Sequence, residues 1–190
     1  GSYQPQTVGN KSFRLQQIPV ALLPGQTSLG HFSLSFSLFS QVLDLEANAK
    51  IKAQLLELKA RVLKNSSAMD ITDTLKQMRL LIEELEISDD TLSLILKTIE
   101  NVFGKDRDVR LFLRSSTNAE DLAGYQAAGL YDSFGYVRPE KEELARHIKK
   151  VWASVWNDRA FFDRQVNAID HSGVLPAILV QEMVVPDYAF

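Results

Sequence analysis

The residues whose types and spacing most suggest chemistry run Arg114-Ser115-Ser116-Thr117-Asn118-Ala119-Glu120-Asp121-Leu122-Ala123-Gly124, followed by Ala127-Ala128-Gly129-Leu130-Tyr131-Asp132-Ser133. An arginine closing the apolar run 109–113 brings a planar, permanently charged fork to a loop, which suits an oxyanion such as a nucleotide phosphate. An ion pair with Glu120 or Asp121 accounts for the same residue equally well. Thr117 and Glu120 stand at the spacing of a capping box, a structural role. Gly124 and Gly129 permit the close backbone approach that a phosphate-cradling loop needs, as any tight turn does. Near the start, Val8-Gly9-Asn10-Lys11-Ser12 presents a lysine after a flexible turn. Its spacing is not that of a Walker P-loop, and a solvated surface lysine fits it too. Late in the chain, Gln181, Glu182 and Met183 interrupt an apolar run. That pattern belongs either to a strand edge against which a flat base lies or to a strand emerging into solvent.

These residues need elements to hold them. The run 18–23, closed by Pro24-Gly25, predicts a buried strand and a turn. Phe32, Phe36, Phe39, Val42 and Leu43 fall at helical spacing and predict a helix over 31–45. Three further amphipathic helices follow, carried by Ile51, Leu55, Leu58 and Val62; by Leu75, Met78, Ile82 and Leu85; and by Leu92, Ile95, Ile99, Val102 and Phe103. Asn65-Ser66-Ser67 and Ser88-Asp89-Asp90 supply capping oxygens between them. After Gly104 strands are expected over 109–113, 130–137 and 175–184. A helix begins at Pro139, ahead of Glu140, Glu142 and Glu143, and runs to about residue 167. The fold class is α+β: residues 31–104 mainly helical, residues 105–190 strand, loop, strand, helix and strand, with a small mixed or antiparallel sheet.

Composition narrows the function. The 190 residues are 45% hydrophobic, enough for one sizeable core. No stretch approaches the roughly 18 consecutive apolar residues of a spanning helix, and no secretory leader pattern opens the chain. A cytoplasmic protein is expected. The absence of cysteine excludes a disulfide framework and a thiolate metal site. A net charge of -3 disfavours nucleic acid as a partner. The last residues, Val184-Val185-Pro186-Asp187-Tyr188-Ala189-Phe190, directly follow a strand-like run and predict that the chain is the N-terminal part of a longer domain.

Four segments taken in order carry a resemblance: Arg114 to Leu122; Ala128-Gly129-Leu130-Tyr131-Asp132-Ser133; Val151-Trp152-Ala153-Ser154 with Arg159-Ala160; and Val180-Gln181-Glu182-Met183-Val184. They resemble the ATP-binding domain of the dikinases, the family of phosphoenolpyruvate synthase, pyruvate phosphate dikinase and the glucan water dikinases. Val8-Gly9-Asn10-Lys11-Ser12 adds to it, although Asn10 stands where that family usually has glycine or alanine. Asn118, Ala128-Gly129-Leu130-Tyr131, Trp152-Ala153-Ser154 and Asp187-Tyr188-Ala189-Phe190 look closer to the glucan water dikinases.

The resemblance implies an ATP-grasp fold. Lys11 and Arg114 would reach the ATP phosphates, the Gly129 loop would cover them with Ser133 nearby, and Gln181, Glu182 and Met183 would lie beside the adenine. It implies an enzyme that splits ATP into AMP and phosphate and passes the β-phosphoryl group to a histidine on a separate domain, then to pyruvate, a glucan or another acceptor. Magnesium is implied as a cofactor, with its carboxylate ligands beyond Phe190, so that the chain alone would be inactive. His31, His147 and His171 are not expected to be the phosphoacceptor. The competing reading is a non-catalytic interaction module with a degenerate nucleotide fold.

Overall fold

A computed structural model describes residues 4–17, 30–64, 67–105, 108–119 and 129–183. The expected strand at 18–23 with its turn, Glu120, Asp121, Gly124, Ala127, Ala128 and the residues after Met183 lie outside the described residues.

Four strands form one antiparallel sheet, β1 (His31–Leu34), β2 (Leu111–Ser115), β3 (Ser133–Val137) and β4 (Ile178–Glu182), in the order β1-β4-β2-β3. Period-two alternation decides its faces. Leu111, Leu113, Val137, Ile178 and Val180 are buried on one face, together with Phe32 and Leu34 of β1. Against this face packs α6 (Lys141–Ala153), through Leu144, Ile148, Val151 and Trp152. Behind α6 lie α4 (Ala68–Glu84) and α5 (Asp89–Phe103), and α3 (Ala49–Lys64) packs on α4. The α+β expectation holds, with the sheet wholly antiparallel.

The three amphipathic helices lie where their periodicity placed them, and Ser88 caps α5 by accepting from the Thr91 N–H at 3.3 Å. Two expected helices are corrected. The segment expected as one helix over 31–45 divides into β1 and α2 (Phe36–Leu43), so His31 sits in a strand. Phe32 and Leu34 alternate inward and the run gains a ladder with β4, a non-local reward that helical spacing cannot reveal. Extended Ser35 separates the two elements. The long helix expected from Pro139 is three pieces: α6, a tight turn at Ser154–Trp156, and α7 (Asp158–Val166). There the Ser154 hydroxyl donates to the Val151 carbonyl at 2.7 Å, and Asn157 turns extended as the N-cap of α7.

The N-terminal element is α1 (Pro5–Gln16), kinked at Gly9 (φ 78°, ψ 164°), so the lysine expected after a flexible turn sits in a helix. It lies against β1 and β4.

Candidate functional site

Arg114 and Phe112 occupy the β2 positions that face away from the core. In the register of the sheet Arg114 stands opposite Ser133 on β3 and Leu179 on β4, while Phe112 stands opposite Gln181. Directly opposed residues of an antiparallel pair share a face, so Arg114, Ser133 and Gln181 converge on one surface. Gln181 Oε1 lies 3.5 Å from Arg114 Nη1, and the guanidinium carbon is 5.7 Å from the centre of the Phe112 ring. Among the described residues no carboxylate pairs with Arg114. Its Nε is buried and has no hydrogen-bond acceptor among them. Such a donor costs about 1–3 kcal/mol when left unmet, and an anionic oxygen is the acceptor that suits it best.

Lys11 reaches the same end of β2. Its Nζ donates to the Ser115 carbonyl at 2.7 Å, which holds an ammonium one residue beyond Arg114. A latch that the sequence did not disclose keeps it there. The Ser116 hydroxyl donates to the Val8 carbonyl at 2.7 Å and accepts from the backbone N–H of Ser12 at 3.1 Å, while the Ser12 and Ser116 hydroxyls are 3.0 Å apart. Gly9 lets the two chains meet, since a Cβ there would stand 2.3 Å from the Ser116 carbonyl oxygen. The run beyond Ser116 is pinned as well. Asn118 donates to the Gly173 carbonyl at 2.7 Å and accepts from Leu175 N–H at 2.8 Å, continuing the β2–β4 ladder with a side chain. Thr117 is buried, and its hydroxyl accepts from Ala119 N–H at 3.2 Å.

The other candidate residues divide between two faces. Met183 lies with Gln181 on the Arg114 side, and Glu182 stands opposite Leu111 and so on the core side at its edge. Beside Met183, Gly135 is crowded: a Cβ there would come within 2.9 Å of the Phe112 ring and 3.1 Å of Met183 Sδ. Tyr136 N–H donates to that sulfur at 3.0 Å from a left-handed backbone (φ 57°), where β3 carries one extra residue against β2. Phe112, Gly135 and Met183 thus make an apolar strip adjoining the Arg114–Gln181 pair, a surface on which a flat ring can lie. A glycine between Phe134 and Tyr136 was the available sign of close approach within a strand. Gly129 has positive φ (73°) and is exposed ahead of the segment that leads to Ser133.

Of the three histidines, His31 stands opposite Gln181 on β4 and so shares this face at its β1 edge, while the other two lie elsewhere. His147 Nδ1 lies 2.8 Å from the Glu143 carbonyl on α6, and His171 is buried against Phe161 with ring centres 4.1 Å apart. Among the described residues no three histidine or acidic side chains stand together as a metal site, and no helix is long and apolar enough to cross a membrane.

Comparison with known proteins adds a second line. Residues 6–189 match the family described as pyruvate phosphate dikinase, AMP/ATP-binding domain. The chain is similar to a protein of Methanothermobacter thermautotrophicus named probable phosphoenolpyruvate synthase, 36% identical over 125 residues, which is 61% of this chain and 18% of that protein. It is 37% identical over 112 residues to a rifampicin phosphotransferase of Bacillus cereus, covering 59% of the chain and 12% of the relative. Over a shorter stretch of 43 residues it is 54% identical to alpha-glucan water dikinase 2 of Arabidopsis thaliana, 23% of the chain and 3% of that protein. The chain spans less than a fifth of the length of each of these curated relatives.

Proposed function

The chain belongs to the pyruvate phosphate dikinase AMP/ATP-binding domain family, and on that premise we propose that its cationic sheet face holds ATP for phosphoryl transfer. The observation that carries the reading is Arg114: a buried guanidinium donor with no acceptor among the described residues, flanked by Ser133 and Gln181, with the Lys11 ammonium at the neighbouring carbonyl. Phosphoryl transfer asks a protein mainly to position the phosphates and neutralise charge, and these two cations supply both. Lys11 and Arg114 contact the phosphates, Gly129 and the segment to Ser133 cover them, and the strip formed by Phe112, Gln181 and Met183 takes the adenine. Glu182, whose side chain belongs to the other face, contributes there through its backbone.

In the longer enzyme that this reading implies, the γ-phosphoryl group is taken up by water and leaves as phosphate. The β-phosphoryl group passes to a histidine on another domain of the same protein, and AMP is released. Magnesium would supply charge neutralisation at the phosphates, and we place its carboxylate ligands outside this chain. The relatives' names cover different acceptors, a rifampicin and a glucan among them, so the acceptor is chosen elsewhere and this chain supplies the shared nucleotide half. A cysteine-free chain that consumes ATP fits a cytoplasmic location.

The test is to incubate the full-length protein with ATP labelled in the β-phosphoryl group. Label is expected on a histidine outside these 190 residues, with AMP and phosphate as products. Label on His31, His147 or His171, or ADP as the product, overturns the reading.

A further inference from the structure

Arg164 of α7 is fully buried, and among the described residues no carboxylate pairs with it. An uncompensated guanidinium in a core is costly, and an apolar side chain would fill the same volume more cheaply. Arg164 is instead satisfied by neutral groups drawn from three different segments. Nε donates to His171 Nδ1 at 3.3 Å, Nη1 to the Tyr131 hydroxyl at 3.1 Å, and Nη2 to the Val155 carbonyl at 2.9 Å. The Tyr131 and Trp156 ring centres each lie 5.9 Å from its guanidinium carbon.

The Tyr131 bond ties this cluster to the site. Tyr131 lies two residues after exposed Gly129 and two before Ser133, which opposes Arg114. Its neighbour Leu130 is buried with Ala160, also of α7. Leu130 and Tyr131 are therefore held by one helix, Asp132 Oδ1 accepts from Asn157 Nδ2 at that helix's N-cap at 3.2 Å on the exposed side, and the buried tether is the charge-assisted bond from Arg164. We infer that Arg164 is a positioning residue for nucleotide binding: through Tyr131 it fixes the segment between Gly129 and Ser133 against which the phosphates are held. The inference rests on the ATP reading above.

Replacing tyrosine by phenylalanine isolates the tether, because the ring and its burial are kept and only the hydroxyl is lost. In the full-length protein, well below the melting temperature, Tyr131→Phe is expected to weaken ATP binding about five- to tenfold by calorimetry. Amide exchange at residues 130–132 should quicken alongside it. Arg164→Lys, which keeps the charge but loses the three-way fork, should weaken ATP binding at least as much; if it does not fold, Tyr131→Phe decides. A purely structural role would lower the melting temperature of Tyr131→Phe and leave ATP affinity within about twofold of the parent, and that result overturns the inference. A parent protein that fails to bind ATP sinks the ATP reading itself, which separates the two failures.

Discussion

At the scale of single residues, Arg114 and His171 illustrate opposite uses of a titratable or charged group. Arg114 holds a buried donor for which the described residues supply no acceptor. Arg114→Lys keeps the charge and loses the planar fork, so ATP-dependent turnover of the full-length enzyme should fall about ten- to a hundredfold, the worth of one charge-assisted bond. The melting temperature should hardly move, because no ion pair among the described residues is broken. A stable variant with unimpaired turnover would remove Arg114 from the site. His171 works through neutrality. Burial, then the Arg164 charge, push its pKa down from 6.5 to about 4, against a smaller opposing pull from Asp170. Its neutral ring accepts from Arg164, so this stability is present above about pH 6.5 and is lost as pH falls toward 4. Thermal melts across that window should show the loss in the parent, and His171→Gln, which still accepts but cannot titrate there, should flatten it. The sequence marked Arg114 because a cation after an apolar run is visible in one dimension. It could not mark Arg164, whose meaning depends on Tyr131, Val155 and His171 meeting in space.

At the scale of elements, the parts legible in sequence are those whose order is local. The periodicity of Leu75, Met78 and Ile82 is the buried stripe of α4, and Ser88 caps α5 as its position indicated. Elements set by distant partners were misread: β1 exists because β4 pairs with it, and Lys11 is placed by a latch to Ser116, 104 residues away from Ser12. That latch tolerates only glycine at position 9. Gly9→Ala adds a Cβ 2.3 Å from a carbonyl oxygen at a φ of 78°, and should cost about 2–4 kcal/mol in urea unfolding while weakening ATP binding, since Lys11 rides on the same helix. A second junction serves as contrast. Buried Asn48 donates to the Val42 and Glu86 carbonyls and accepts from Glu86 N–H at 2.8 Å, joining the start of α3 to the end of α4. Asn48→Ala strands those groups and should cost about 2–3 kcal/mol in the same measurement, with ATP affinity in the folded protein unchanged. Equal loss of ATP affinity in both variants would mean that the latch has no special link to the site.

At the scale of the whole molecule, the family read from four sequence motifs is borne out by a match that runs over residues 6–189, although the relatives are several times longer than this chain. The described residues bring Arg114, Ser133 and an apolar strip onto one sheet face with the Lys11 ammonium at the end of β2, and show no cluster of acids that could hold magnesium. On our reading the cations bind the phosphates, and magnesium held by carboxylates outside this chain neutralises their remaining charge. The 190-residue chain alone should therefore bind ATP with magnesium at least about a hundredfold more weakly than the full-length protein, a gap of roughly 2.7 kcal/mol. Calorimetric titration of both, side by side, measures it. Should the chain alone bind magnesium-ATP within about tenfold of the full-length protein, the ligands we place elsewhere are dispensable, and the site drawn from Lys11, Arg114, Ser133 and Gln181 is closer to complete than its acids suggest. Should neither bind, the cationic face has another purpose despite its family.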